Sequence, residues 1–344
     1  MPALAKAKLM EAIRQFLLWS VCIVLVFSQC KQETPTQTKA TGPTGNPAID
    51  ELSAKIAQTP NDPALYAARG KLFYDNEGYD EAIQDLTQAL KMDSTNVDYH
   101  HLLADVYLDY LQSRLALRTM ERAAALYPER IPTLLKLCEV QYTLKQFKAS
   151  LQTIDRIMKI DPQNADGFLM MGLNLRELND TDRAMKALQK CVAINPEMTD
   201  AWINLGQISA KLKNPDAVRY FDSALRINPN DVNTLHAKAD FLRDQNDLVG
   251  AIALYKKLNT LDIQYDEGFF NAGLLYLDLD SMTQAREMFD LAIKVNPINI
   301  SAYAYRGVAN EQLGRKQDAK KDYETALRMA PDYEIAAEGL KRVQ

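Results

Sequence analysis

Residues 307–332 read GVANEQLGRKQDAKKDYETALRMAPD, and this stretch decides the fold. Small side chains stand at Gly307, Ala319 and Ala326, a large aromatic at Tyr323, and Pro331 closes the segment. The same spacing returns upstream about every 34 residues. Prolines recur at Pro60, Pro128, Pro162, Pro196, Pro229 and Pro297, with only Ser94 and Ile263 substituting in the series. A proline lacks the amide donor and clashes with the preceding turn, so each one ends a helix. One column of small residues runs through Gly70, Ala104, Cys138, Gly172, Gly206, Ala239, Gly273 and Gly307. A column of large ones runs through Leu86, Met120, Ile154, Leu188, Phe221, Tyr255, Phe289 and Tyr323. Small residues at fixed steps let two helices approach closely, and the large ones fill the space between them. At Asn214-Pro215-Asp216 the order of a capping residue and then Pro predicts a helix start at residue 215.

At 344 residues and 47% apolar the chain is long enough for an extended repeat array. A net charge of −5 leaves no broad basic footprint, so nucleic acid is excluded as a partner class. Cysteines at 22, 30, 138 and 191 form no paired CxxC, which gives neither a disulfide framework nor a zinc ribbon.

The N-terminus has a different character. Lys6, Lys8 and Arg14 precede a twelve-residue run from Phe16 to Phe27 in which only Ser20 is polar. A helix of that length is ~20 Å, short of the ~30 Å hydrocarbon core of a bilayer. A basic start and a short apolar run follow the signal-peptide plan. FSQC then ends at Cys30, and the pattern resembles a bacterial lipoprotein box, with Gln29 where a small residue is usual. That resemblance implies cleavage of residues 1–29 and acylation of Cys30. It places the protein on a bacterial membrane, facing the periplasm, with the outer membrane as the expected site. An uncleaved single-pass N-terminal anchor is the alternative. Residues 30–48 are polar and rich in Thr, Gln, Pro and Gly, which predicts a disordered tether.

With AWINLG at 201–206 beside the 307–332 stretch, residues 63–333 resemble tetratricopeptide repeats. The resemblance implies an all-α, right-handed α-solenoid of eight helix pairs, at 63–96, 97–130, 131–164, 165–198, 199–231, 232–265, 266–299 and 300–333. A flanking helix over 49–62 and a capping helix over 334–344 complete the expected architecture, since terminal repeats need a polar outer face.

No P-loop, GxGxxG, GxSxG or HExxH occurs. His101 and Asp105, four apart on one predicted helix, are the nearest thing to a catalytic or metal pair, and no third ligand accompanies them. Cys138 and Cys191 fall in small-residue columns and read as packing. The expectation is a non-enzymatic protein with no cofactor and no metal.

In this family the first helices of successive repeats line a concave groove that takes a protein or peptide partner. Carried over by register, that groove holds Tyr74, His101, Asp105, Leu135, Glu139, Tyr142, Leu169, Leu173 and Arg176. It continues with Ile203, Gln207, His236, Asp240, Arg243, Phe270 and Leu274. Leu135, Tyr142, Leu169, Leu173 and Ile203 form one apolar stretch, and Phe270, Leu274 and Leu277 another. An exposed apolar surface of this kind marks an interaction site; the same leucines packing only against neighbouring helices is the competing reading. The expected role is an interaction scaffold in cell-envelope assembly. An accessory subunit binding a polysaccharide or nutrient is the alternative.

Overall fold

The computed structural model describes residues 44–344, so the expected signal, Cys30 and most of the tether lie outside the described residues. Among the described residues the chain forms eighteen α-helices and no strand. It divides into two units between Pro60 and Asn61. In the first, a helix spans Pro47–Gln58, starting and ending earlier than the expected 49–62. Asn46 accepts from the Ala48 amide and Pro47 occupies the first turn, a start with its donor satisfied and φ preset. The first described helix therefore begins inside the predicted tether. Thr44 donates to the Asp50 carboxylate through both its amide and its hydroxyl, each at 2.8 Å.

The second unit is an α-solenoid. Its eight first helices are Pro63–Asp75, Val97–Asp109, Ile131–Thr143, Ala165–Glu177, Thr199–Lys211, Val232–Asp244, Asp266–Asp278 and Ile300–Gln312, each of 13 residues. Seven second helices have 14 residues: Tyr79–Met92, Ser113–Leu126, Phe147–Ile160, Thr181–Ile194, Leu248–Leu261, Met282–Val295 and Lys316–Met329. The exception, Ala217–Ile227 in repeat five, has 11. It starts two residues later than the Pro215 rule predicts. Asn214 caps a turn by accepting from the Asp216 amide at 2.9 Å, and Pro215 and Asp216 stay in that turn. Repeat five is one residue shorter than its neighbours, and this junction absorbs the difference. A last helix, Glu334–Val343, follows repeat eight.

Two local rules repeat along the solenoid. Each second helix stops at a non-helical residue just before the proline column, with φ of −124 to −139° and ψ of 69 to 97°, because Pro bars the helical conformation from its predecessor. Asp93 and Asp262 take similar non-helical angles, φ −130° ψ 82° and φ −134° ψ 100°, without a following proline, so the tertiary stack enforces what proline encodes elsewhere. Between the helices of each pair, one residue takes the left-handed conformation: Glu77, Leu111, Lys145, Asn179, Lys213, Asn246, Asp280 and Gly314. Only the last is glycine. The left-handed region costs an ordinary L-residue about 1–2 kcal/mol, so these turns are held by the helix packing on either side. Leu111 is the extreme case, a leucine with φ 59° and 89% exposure.

The core lies between paired helices and between neighbouring repeats. A β-carbon built on Gly206 would lie 2.5 Å from the Phe221 ring, on Gly273 2.6 Å from Phe289, and on Gly307 2.6 Å from Tyr323. The small column is thus filled by the large column of the same repeat. Phe221, rather than the adjacent Trp202, is the ring that Gly206 admits. Cys138 and Cys191 are fully buried, in two different core clusters, and burial pushes their thiols up to about 12 and about 11. Both are protonated packing groups at neutral pH.

Candidate functional site: the inner face of the first helices

Each second helix packs on the first helix of the next repeat as well as on its own; beyond that, first helices touch first helices of adjacent repeats at most junctions, whereas no two second helices touch to a comparable extent. A stack with one layer drawn closer than the other curves toward the closer layer. The first helices therefore form the inner face, and the side chains at positions 2, 5, 6, 9, 12 and 13 of each repeat share one helical side there.

Side-chain bonds stitch this face from repeat to repeat. Tyr74 donates its hydroxyl to Asp109 of repeat two. His101 Nε2 lies 3.0 Å from Thr133 Oγ1 of repeat three. Asp105 pairs with Lys136 of repeat three, and the same ammonium is 3.2 Å from Glu139. Tyr142 donates to Glu177 at 3.4 Å, and Arg176 bonds both Glu177, at 2.9 Å, and the Asn204 amide of repeat five. The expected His101–Asp105 pair is therefore split, each member serving a different partner. Burial, with the positive charge of Arg130 second, lowers the His101 pKa below its ordinary value, so the ring is neutral at pH 7. Among the described residues no group of three or more His, Cys, Asp or Glu side chains could hold a metal.

In repeat six the carboxylate of Asp240 is a hub. Tyr255 donates its hydroxyl at 2.5 Å, Arg243 Nη1 at 3.0 Å, and His236 Nδ1 lies 3.4 Å away. Arg243 also reaches Asp244 at 3.1 Å. The His236 ring sits edge-on to both Tyr255 and Tyr265, with centroids 5.9 Å apart in each case. These groups are structural crosslinks as well as parts of a surface.

The apolar members divide. Leu135 packs on the core of repeats two and three, and Leu169 on that of repeats four and five. Phe270 and Leu274 join a cluster with Phe289 and Tyr305, the Phe270 centroid lying 5.7 and 5.8 Å from those two rings. Leu173 and Ile203 are half-buried and stand outside these clusters, and Gln207 beside them is exposed. The free apolar surface is accordingly smaller than the sequence suggests, and it centres on repeats four and five.

Sequence reading missed a pair of buried ion pairs. Arg69 forks onto Asp85 in repeat one with two bonds of 2.7 Å, and Arg306 forks onto Asp322 in repeat eight at 3.0 and 2.5 Å. Both join position 7 to position 23, and both occur in a terminal repeat. The signal that could have revealed them is the shared break in two columns, where Arg and Asp appear together at the two ends and in no repeat between.

The last helix is fastened by charge. Arg342 donates to both oxygens of Glu311 at 2.8 and 3.0 Å, and Tyr323 donates to the same carboxylate at 2.7 Å. These bonds, Arg342 foremost, hold the Glu311 carboxyl below its ordinary range. A folded-state pKa below the unfolded one gives stability that is present above the unfolded value of about 4.3 and is lost as pH falls through the lowered one. Docking of residues 334–343 should hold from pH 7 to 5 and weaken below about pH 4. Hydrogen exchange at Ala336–Leu340, corrected for intrinsic rates, should show that loss of protection in the wild type. Glu311→Gln should show lowered protection already at pH 6; equal protection in both proteins at pH 6 would contradict the assignment.

Family profiles match stretches of this repeat array. A family profile described as "TPR repeat" matches residues 70–109, and profiles described as "Tetratricopeptide repeat" match 169–232, 267–299 and 300–333. A probable UDP-N-acetylglucosamine–peptide N-acetylglucosaminyltransferase SPINDLY from Solanum lycopersicum is 34% identical over 102 residues, 30% of this chain and 11% of that protein. Its counterpart from Arabidopsis thaliana is 29% identical over the same share of each. The chain thus matches only about a tenth of the length of these relatives. Among solved structures, YrrB, titled a TPR protein with an unusual peptide-binding site, covers 53% of this chain and 95% of its own at 21% identity and TM-score 0.47. The Cut9–Hcn1 hetero-tetramer of the APC/C covers 86% of this chain and 58% of its own at 15% identity and TM-score 0.46.

Proposed function

This chain belongs to the tetratricopeptide repeat proteins, and from that premise we propose that it is a non-enzymatic scaffold that holds a segment of another protein on the inner face of its first helices. The observation that carries the reading is the contrast within that face. Many of its side chains are committed, either to bonds within and between repeats or to core packing, which fixes the surface around them. Leu173, Ile203 and Gln207 remain uncommitted at its centre. A preorganised surface with an apolar centre and a polar surround is the usual build of a binding site for a peptide or helix. Leu173→Asp with Ile203→Asp should leave helical content unchanged and abolish co-purification of the partner. Retention of the partner by a folded double variant would end the reading. Phe270 is a poorer probe, because its loss opens the core against Phe289 and Tyr305.

We further propose that the scaffold is exported and anchored through an acylated Cys30 on a bacterial envelope membrane, where it serves assembly of an envelope complex. What supports this is the order of the sequence: basic residues, a short apolar run, Cys30, and a polar stretch before the first described helix. Labelled palmitate should enter the wild type and not Cys30→Ser; equal labelling of the two would remove the anchor from the account.

A further inference from the structure

The inner face carries more negative charge than the whole protein. Over positions 2, 5, 6, 9, 12 and 13 of the eight repeats it holds thirteen carboxylates and five Lys or Arg, a balance of −8 against −5 for the entire chain. The excess is not evenly spread. Repeats three to five hold four carboxylates and three cations, with the uncommitted Leu173 and Ile203 among them. Repeats one and two hold four carboxylates against one cation, and repeats six to eight hold five against one. Four of the five cations are already engaged: Lys71 by Asp75, Lys136 by Asp105 and Glu139, Arg176 by Glu177, and Arg243 by Asp240 and Asp244. By contrast, Asp109 and Glu267 are exposed and bonded only to tyrosine hydroxyls, and Asp278 is exposed with no cation in reach.

We propose that the partner segment is an apolar stretch flanked on both sides by Lys or Arg. This deepens the groove reading above and rests on it. Three first helices lying side by side, with axes about 8–10 Å apart, present a surface of roughly 25–30 Å. An extended chain covers that length with about 8 residues. Basic residues beyond either end of such a stretch fall over the two carboxylate-rich ends of the groove. A segment with acidic flanks meets like charge at both ends and is rejected, which supplies specificity as well as attraction.

The test uses the full chain and fluorescein-labelled 16-residue peptides with eight alternating Leu and Ala, flanked on each side by four Lys or by four Glu. The Lys-flanked peptide should bind at least tenfold more tightly than the Glu-flanked one at 50 mM NaCl, and the gap should narrow at 500 mM as screening shortens the range of the charges. The variant Asp98→Asn, Asp109→Asn, Glu267→Gln, Asp278→Asn should lose most of that preference. A control changes four exposed second-helix carboxylates, Glu121→Gln, Asp155→Asn, Asp182→Asn and Asp318→Asn, and alters net charge equally. It should bind the Lys-flanked peptide within about twofold of wild type. Equal binding of the two peptides, no binding of the Lys-flanked one, or equal losses in the two variants would each overturn the proposal. If any of these occurs while the cellular partner is still lost from Leu173→Asp with Ile203→Asp, the cationic partner is wrong and the groove stands. If the cellular partner is also retained by that variant, the groove reading has failed with it.

Discussion

Arg306→Ala destabilises repeat eight by roughly 3–5 kcal/mol, because it leaves a buried carboxylate without its countercharge. Asp322 has a side chain only 5% exposed, and after the loss its one remaining donor is Asn310 at 2.9 Å. Arg306 also bonds Asp290 of repeat seven at 2.5 Å, and its guanidinium lies 5.4 Å from the centre of the Tyr303 ring. Burial alone would lower the guanidinium pKa, yet Asp322 and Asp290 hold it above its ordinary value. The guanidinium is therefore charged throughout the accessible pH range. Denaturant unfolding followed by hydrogen exchange should place the loss in residues 300–343. Arg306→Met combined with Asp322→Leu should recover most of it, since a buried ion pair replaced by apolar groups of similar size is close to neutral. A single variant with the wild-type midpoint would mean that Asp322 reaches water and that the fork is ornamental.

Gly206→Leu destabilises repeat five by about 1–3 kcal/mol through overpacking. The β-carbon alone would sit 2.5 Å from Phe221, a ring that is fully buried and cannot swing away. The leucine must therefore push Ala217–Ile227 off the first helix of its pair. Gly206→Ala with Phe221→Leu should restore much of the stability, because Ala104 opposite Met120 shows the same site built with a larger first residue and a non-aromatic second. An unchanged midpoint for Gly206→Leu would show that the small column is not where paired helices meet. Because repeats touch only their neighbours, both losses should appear as local unfolding rather than as one global shift.

Much of this architecture was legible because it is written eight times. A single Gly or Pro is a weak signal, but Gly172, Gly206, Gly273 and Gly307 in one register with Pro162, Pro196 and Pro297 leave few alternatives. Features carried by geometry rather than residue type were hidden. The left-handed turn residue is invariant in conformation and varied in sequence, from Glu77 through Leu111 to Gly314, so no column announces it. The helix start in repeat five departs from the Pro215 signal because a deleted residue shifts that cap out of line.

The groove was legible in register and opaque in commitment. Sequence places Phe270 and Leu173 on the same helical side, in repeats seven and four. Whether such a residue is free depends on rings such as Phe289 and Tyr305, which arrive from the following helices. The ion pairs Arg69–Asp85 and Arg306–Asp322 were hidden for a related reason: no inner repeat carries both charges in those two columns.

Photo-crosslinking in the native cell tests the central claim most directly. A benzophenone amino acid at Ile203 or Gln207, on the inner face, should yield discrete adducts with another polypeptide on irradiation, and the same residue at exposed Lys190, on a second helix, should not. Adducts at Lys190 alone, or equally at all three positions, would show that the partner rides elsewhere on the solenoid.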